Sequence, residues 1–261
     1  MPFRDSDGVR YFQFAGLADT TVTHAIFTRR GGVSKGVYAE LNVGATVGDE
    51  RPNVEENLRR SFSALDKPRT SLFDSWLVHG TQALVAEAPR PSEWERPPQA
   101  DVVMTNRPEV TLFMRYADCV PILYFDPVKK AVALAHAGWR GTLQGVVASV
   151  LRTMSATYGS RAEDIMVGIG PAISLGKYEI GPEVGAEVRK VFSNQIEKVL
   201  PQINGKSHFD LVEANRLMLE TNGVEQIELS NICTATDTGD WFSHRASGGE
   251  TGRFGALIAL E

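Results

Sequence analysis

Between positions 101 and 137 the chain alternates short apolar runs with polar breaks. "DVVMT", "VTLFMRYA", "PILYFD" and "AVALAHA" are rich in β-branched and aromatic residues and are cut by Asp, Pro and Lys. Runs of this length and content predict neighbouring strands. "WLVHGTQ" reads as an apolar strand that ends at a histidine, and "DIMVGIG", "QIELSNI" and "RFGALIAL" predict further strands. Helical spacing marks "VEENLRRSFSAL" after Pro52-Asn53, and again 142–158, 182–192 and 209–221. Strands and helices mix without strict βαβ alternation, which predicts an α+β fold around a mostly antiparallel or mixed sheet. The segment "EAPRPSEWERPPQAD" gathers prolines among charged residues and reads as an exposed loop rather than an interdomain linker.

Composition narrows the class. A chain of 261 residues that is 43% apolar and 23% charged can bury the core of one compact domain, residues 1–261. A formal net charge of -5 gives no reason to expect nucleic acid or an anionic membrane surface as partner, so a small-molecule substrate is expected. No stretch approaches the roughly 20 apolar residues that cross a bilayer, and "MPFRDSDGVRYF" lacks the basic-then-apolar pattern of a secretory signal. The expected compartment is the cytoplasm, where Cys119 and Cys233 stay free thiols.

Chemistry is concentrated at the strand ends. Of the five histidines, His79 in "WLVHGTQ" and His136 in "ALAHAGW" both stand where an apolar run gives way to a turn. Between them Asp118-Cys119 interrupts "RYADCVPILYFD". If these converge, two imidazoles and a thiolate make a three-ligand site, and zinc held by three protein ligands keeps a fourth position for water or substrate. Spacing alone matches no compact zinc signature, so two hydrogen-bonded core histidines and a small buried thiol remain the alternative reading. "TRRGGVSKG" lacks the order of a phosphate-binding loop, and "VGIGPAISLG" has Ile173 where a dinucleotide fingerprint requires glycine. Arg29, Arg30 and Lys35 beside Gly31-Gly32, like Arg245 and Arg253 in "FSHRASGGETGRFG", suit either an anion site or a charged turn.

"TRRGGVS", "LNVG", "ENLR", "VHG", "ADCVPILYFD", "AHAGWRGT", "GIGPAIS", "YEIGPEV", "ICT", "FSHR" and "TGR" occur together and in order. In this the chain resembles, along nearly its whole length, the family known as laccase-like polyphenol oxidases, peptidoglycan editing factors or multi-activity purine nucleoside phosphorylases. The resemblance implies a four-layer α/β/β/α sandwich whose reactive corner is similar to that of the cytotoxic necrotizing factor hydrolases. It implies that His79, Cys119 and His136 are the metal ligands, with Gly138 and Gly141 shaping the turn that presents His136. Two positions depart from the family pattern: Leu77 stands where glutamine is usual, and His244 where tyrosine is common.

The resemblance implies a zinc-dependent purine nucleoside phosphorylase acting on adenosine, inosine, guanosine and methylthioadenosine, with adenosine deaminase activity. Arg140, Arg29, Arg245 and Arg253 are the expected anion contacts, and Asp118 the group that orients a ligand or moves a proton. Cys119 and His136 also suit cysteine-hydrolase chemistry on a muramyl-peptide precursor. Multicopper oxidation requires many histidines, commonly in His-x-His pairs, and there are five and no such pair. A single blue-copper centre with Met104 or Met114 as axial ligand is the copper alternative, and a metal-bearing module that works through a partner is the non-enzyme one.

Overall fold

The computed structural model describes residues 2–91 and 96–261. Positions 92–95 of the proline-rich segment lie outside the described residues, and the rest of that segment carries no helix or strand. In chain order, β1 (Phe3–Ser6), β2 (Val9–Phe12), α1 (Ala15–Ala18) and β3 (Val22–Phe27) precede α2 (Arg51–Ser63), β4 (Leu72–Asp74) and β5 (Ala83–Val85). Four strands follow: β6 (Val102–Thr105), β7 (Thr111–Tyr116), β8 (Val120–Asp126) and β9 (Ala131–Ala137). Next come α3 (Trp139–Leu143), α4 (Val146–Tyr158), β10 (Met166–Ile169), α5 (Pro182–Val191) and α6 (Ile196–Val199). The chain closes with β11 (Gln202–Ile203), β12 (Lys206–Ser207), α7 (Leu211–Thr221), β13 (Gln226–Leu229) and β14 (Phe254–Leu260).

Two six-stranded sheets form, in the orders β1-β2-β3-β14-β7-β4 and β13-β10-β8-β9-β6-β5. Most neighbours are antiparallel, with parallel pairs at β4/β7, β5/β6 and β10/β13. Side-chain alternation assigns the layers. On β9, Ala131, Ala133 and Ala135 pack with α4 and α7, whereas Val132 and Leu134 join Leu112 and Met114 of β7 and Ala256 and Ile258 of β14 in the seam between the sheets. The outer face of the first sheet packs Phe27, Phe113 and Leu257 on Val54, Leu58 and Phe62 of α2. The result is the four-layer α/β/β/α sandwich, with His136 on the seam-facing side of β9.

Two local expectations change. The helix expected over 142–158 is two helices, because Gly145 takes φ +85°, a left-handed conformation that ends one helix and starts the next. "WLVHGTQ" forms no strand beyond a single bridge from Trp76 to Gln99. The N–H groups of Val78, His79 and Gly80 instead turn to the carboxylate of Asp101, so no ladder can run there.

His24, fully buried in β3, accepts the Phe14 N–H at its Nε2 (2.9 Å) and stacks on the Phe14 ring. Burial lowers its pKa to about 4. The unfolded imidazole binds a proton below its ordinary value near 6.5 while the folded one stays neutral, so stability is complete above pH 6.5 and declines towards pH 4. The expected loss is about 3 kcal/mol over that window. Thermal melts of wild type and His24→Gln, which keeps an acceptor for Phe14 but does not titrate, should diverge across it; parallel curves would rule the effect out.

Candidate active site

Three segments converge at one end of the seam. The β8/β9 register pairs Pro121 with His136 and so brings Cys119, just before β8, beside it. His79 arrives from the turn after β4. The ligand atoms of His79, Cys119 and His136 all lie within 4.8 Å of one another. His136 is buried, Cys119 half-buried and His79 exposed, so the group opens on one side.

Asp101, fully buried, underlies this group. One carboxylate oxygen accepts the His79 N–H at 2.9 Å and faces His136 Nδ1 at 2.8 Å; the other accepts the N–H groups of Val78 (3.0 Å) and Gly80 (2.8 Å). A donating Nδ1–H leaves His136 Nε2 to face the group. His79 is held at φ +60°, a left-handed conformation uncommon outside glycine. Gly138 is required for space, since a Cβ there would stand 2.9 Å from His79 Cδ2 and 3.1 Å from Cys119 Sγ. At Gly141 a Cβ would meet the Gly80 carbonyl oxygen at 2.9 Å. Both glycines thus act by clearance; neither has positive φ.

Electrostatics reinforce the geometry. Burial raises the Cys119 pKa, but the His136 and His79 imidazoles more than offset it and bring the thiol down to about 6. Burial lowers that of His136, and the Cys119 and Asp101 charges overcome it, raising it to about 9. Asp101 itself is pushed up by burial and, on balance, held below its ordinary value by His136 and the Gly80 and Val78 N–H groups. Two nitrogens and a readily ionised sulfur, converging under a cradle that a Cβ at position 138 would fill, fit a borderline-soft cation such as zinc. Among the described residues this is the one His/Cys/Asp/Glu group so arranged.

The group opens on a cavity of about 900 Å³. Arg245 and Arg253 line it, as do Asp118, Tyr178, Leu77 and His244. Burial lowers the Arg253 pKa and the nearby Cys119 and Asp118 raise it, which puts this guanidinium within electrostatic reach of the ligand group. Arg245 lies over the Tyr178 ring at 5.0 Å and donates to the Glu179 carbonyl. Asp118, at φ +86°, accepts from the Thr234 hydroxyl and the Arg245 N–H, so both carboxylate oxygens tie loops together. The leucine at position 77 packs against the seam core.

Other expected contacts do not reach the cavity wall. Arg140 is exposed with its guanidinium 5.0 Å over the Trp139 ring, and Arg29 stacks 4.4 Å from the Phe242 ring while donating to the Ala39 and Thr238 carbonyls. Neither lines the cavity. Met104 and Met114 sit in the two sheet cores and are likewise absent from its lining, so neither is offered to the group as an axial ligand. Cys233 is a free thiol that accepts hydrogen bonds from Ser174 and Thr236. Sequence reasoning missed Asp101, whose only signal is its place as the polar first residue of "DVVMT". It also missed Tyr116, whose ring lies 5.5 Å from that of His136, and Arg90 and Arg115, which share the buried Asp74 on the cavity wall.

No helix among the described residues is long and apolar enough to cross a membrane. The structure is similar to that of YlmD from Geobacillus stearothermophilus, with a TM-score of 0.92 and 31% identity over 100% of this chain and 99% of the other. In sequence the chain is 38% identical to a purine nucleoside phosphorylase of Deinococcus radiodurans over 92% of its own length and 89% of that protein's. It is 34% identical to a purine nucleoside phosphorylase of Bacteroides thetaiotaomicron, with 90% of each covered. The family described as multi-copper polyphenol oxidoreductase laccase matches residues 23–261, and the chain belongs to it.

Proposed function

We propose that the protein is a zinc-dependent purine nucleoside phosphorylase that accepts adenosine, inosine, guanosine and methylthioadenosine and also deaminates adenosine. The observation that carries this reading is the opening of the His79, Cys119 and His136 group onto an arginine-lined cavity of about 900 Å³, near the upper end of the range for small-molecule sites. The names of the relatives at 38% and 34% identity support it.

In phosphorolysis an oxygen of phosphate forms a bond to the sugar C1′ as the bond from C1′ to the purine nitrogen breaks, and the base leaves with the electron pair and takes up a proton. His79, Cys119 and His136 would hold the zinc, which supplies a Lewis acid. Arg253 and Arg245 hold the phosphate by charge-assisted hydrogen bonds. Asp118 fixes the loop that carries Arg245 through its bond to the Arg245 N–H. Arg140 and Arg29 act outside the cavity in this scheme.

A second reading rests on the relay from Asp101 to His136 to Cys119, which is that of a cysteine hydrolase: an oriented imidazole beside a thiol with a lowered pKa. Its substrate class is a muramyl-peptide precursor. A copper oxidase is the weaker alternative, because His24 and His208 are engaged elsewhere by Phe14 and Leu175 and leave one candidate group among the described residues.

The test is a substrate panel on zinc-loaded protein. Phosphate-dependent release of free purine with the sugar 1-phosphate, and conversion of adenosine to inosine without phosphate, are expected. Zinc-replete protein that releases no base but cleaves the muramyl peptide would overturn the proposal in favour of the hydrolase.

A further inference from the structure

We propose that Asp101 is a positioning residue that assembles the ligand group before any metal arrives. The three ligands come from segments held with very different security. Cys119 and His136 are set by the continuous β8/β9 ladder. His79 has no such support: it is exposed, lies outside every strand and takes a left-handed backbone. What holds it is the concave row of three consecutive N–H groups, from Val78, His79 and Gly80, closed around one carboxylate. Such a nest favours an anion.

The same carboxylate holds His136 by its Nδ1, and the Asp101 carbonyl accepts the His136 N–H at 2.8 Å. Asp101 therefore ties the backbone of the ligand that no strand supports directly to one that the sheet fixes. A carboxylate offers about four acceptor sites, and here four donors converge on them. The fit is selective against the nearest isostere. Asparagine has one acceptor oxygen, and its NH2 would confront either the Val78 and Gly80 N–H groups or the His136 Nδ1–H. The first outcome frees the His79 turn; the second favours the imidazole tautomer with its proton on Nε2, which cannot bind a metal there. This inference rests on the metal-site reading of the group.

Two measurements test it. Zinc affinity is read by competition with a chromogenic chelator in wild type and Asp101→Asn, with circular dichroism reporting the fold. Asp101→Asn should bind zinc about 10- to 100-fold more weakly, the usual cost of losing such a supporting partner. Amide hydrogen exchange on metal-free wild type is the second measurement and needs no variant. The amides of Val78, His79 and Gly80 should already be protected without zinc, and zinc should add little. Unchanged zinc affinity in a folded Asp101→Asn, or rapid exchange of those amides in metal-free wild type, would overturn the role. Wild type that binds no zinc would instead sink the metal reading itself.

Discussion

Cys119→Ser protein should fold, carry less than about a tenth of the zinc of wild type, and lose purine release almost completely. Serine is close to isosteric with cysteine, and Cys119 is only half-buried and lies just before β8, so the sheet should tolerate the change. The difference is in charge. The two imidazoles draw the thiol pKa down to about 6 and so favour the thiolate, whereas a serine hydroxyl stays neutral and offers a divalent cation a poor ligand. Loss of the one anionic ligand of three is expected to remove about 4 kcal/mol, a thousandfold in affinity. Elemental analysis and a base-release assay read the result. Undiminished zinc in Cys119→Ser would place the metal elsewhere, and an intense blue band in the protein as isolated would argue for copper.

The second large effect is expected at Arg253. Its main chain is anchored whatever the side chain, since its N–H donates to Asn42 Oδ1 and its carbonyl accepts the Val43 N–H. The guanidinium donates to the Thr251 and Gly252 carbonyls, and when it is replaced Asp118 keeps the Thr234 hydroxyl and the Arg245 N–H while Cys119 keeps the two imidazoles. Arg253→Met should keep fold and zinc, and lower phosphorolysis by about 10- to 100-fold, the worth of one charge-assisted hydrogen bond to a phosphate in the transition state. Adenosine deamination, in which water replaces phosphate, should fall much less. Arg140→Met, with its guanidinium over Trp139 and outside the cavity, serves as the control and should stay within about twofold of wild type. Equal losses in both reactions would make Arg253 a structural residue, and a loss at Arg140 matching that at Arg253 would refute the assignment of the anion site.

His136 shows how far pattern alone reaches. The run "AVALAHA" is short and β-rich, and once it is a strand the period of two obliges His136 to share a face with Val132 and Leu134. The strands at β6 through β10, β13 and β14 and the helices α2, α5 and α7 are legible for the same reason: backbone sterics and the need to bury one face act over a few residues. The order of motifs carried the family, and with it the His79, Cys119 and His136 set. Gly145 breaks an apolar helical pattern with a left-handed residue, which the spacing alone does not mark.

The remainder depended on contacts between segments far apart in the chain. Asp101 lies 22 positions from His79 and 35 from His136, and no periodicity relates them. The turn that presents His79 resembles a strand in composition and is kept from being one by a carboxylate supplied from β6's leading edge. The arginines divide in the same way. Arg29, Arg140, Arg245 and Arg253 look alike in sequence, yet Arg29 stacks on the buried Phe242 and Arg140 on Trp139 outside the lining, while Arg245 and Arg253 line the cavity. A long flexible cation takes its role from whichever ring, carbonyl or cavity the folded chain brings within its reach, and local sequence does not encode that distance. Local pattern therefore determined strands β6 to β10, β13 and β14, helices α2, α5 and α7 and the face of His136, while the stacking of the two sheets decided which side chains meet there and which charges lie beside them.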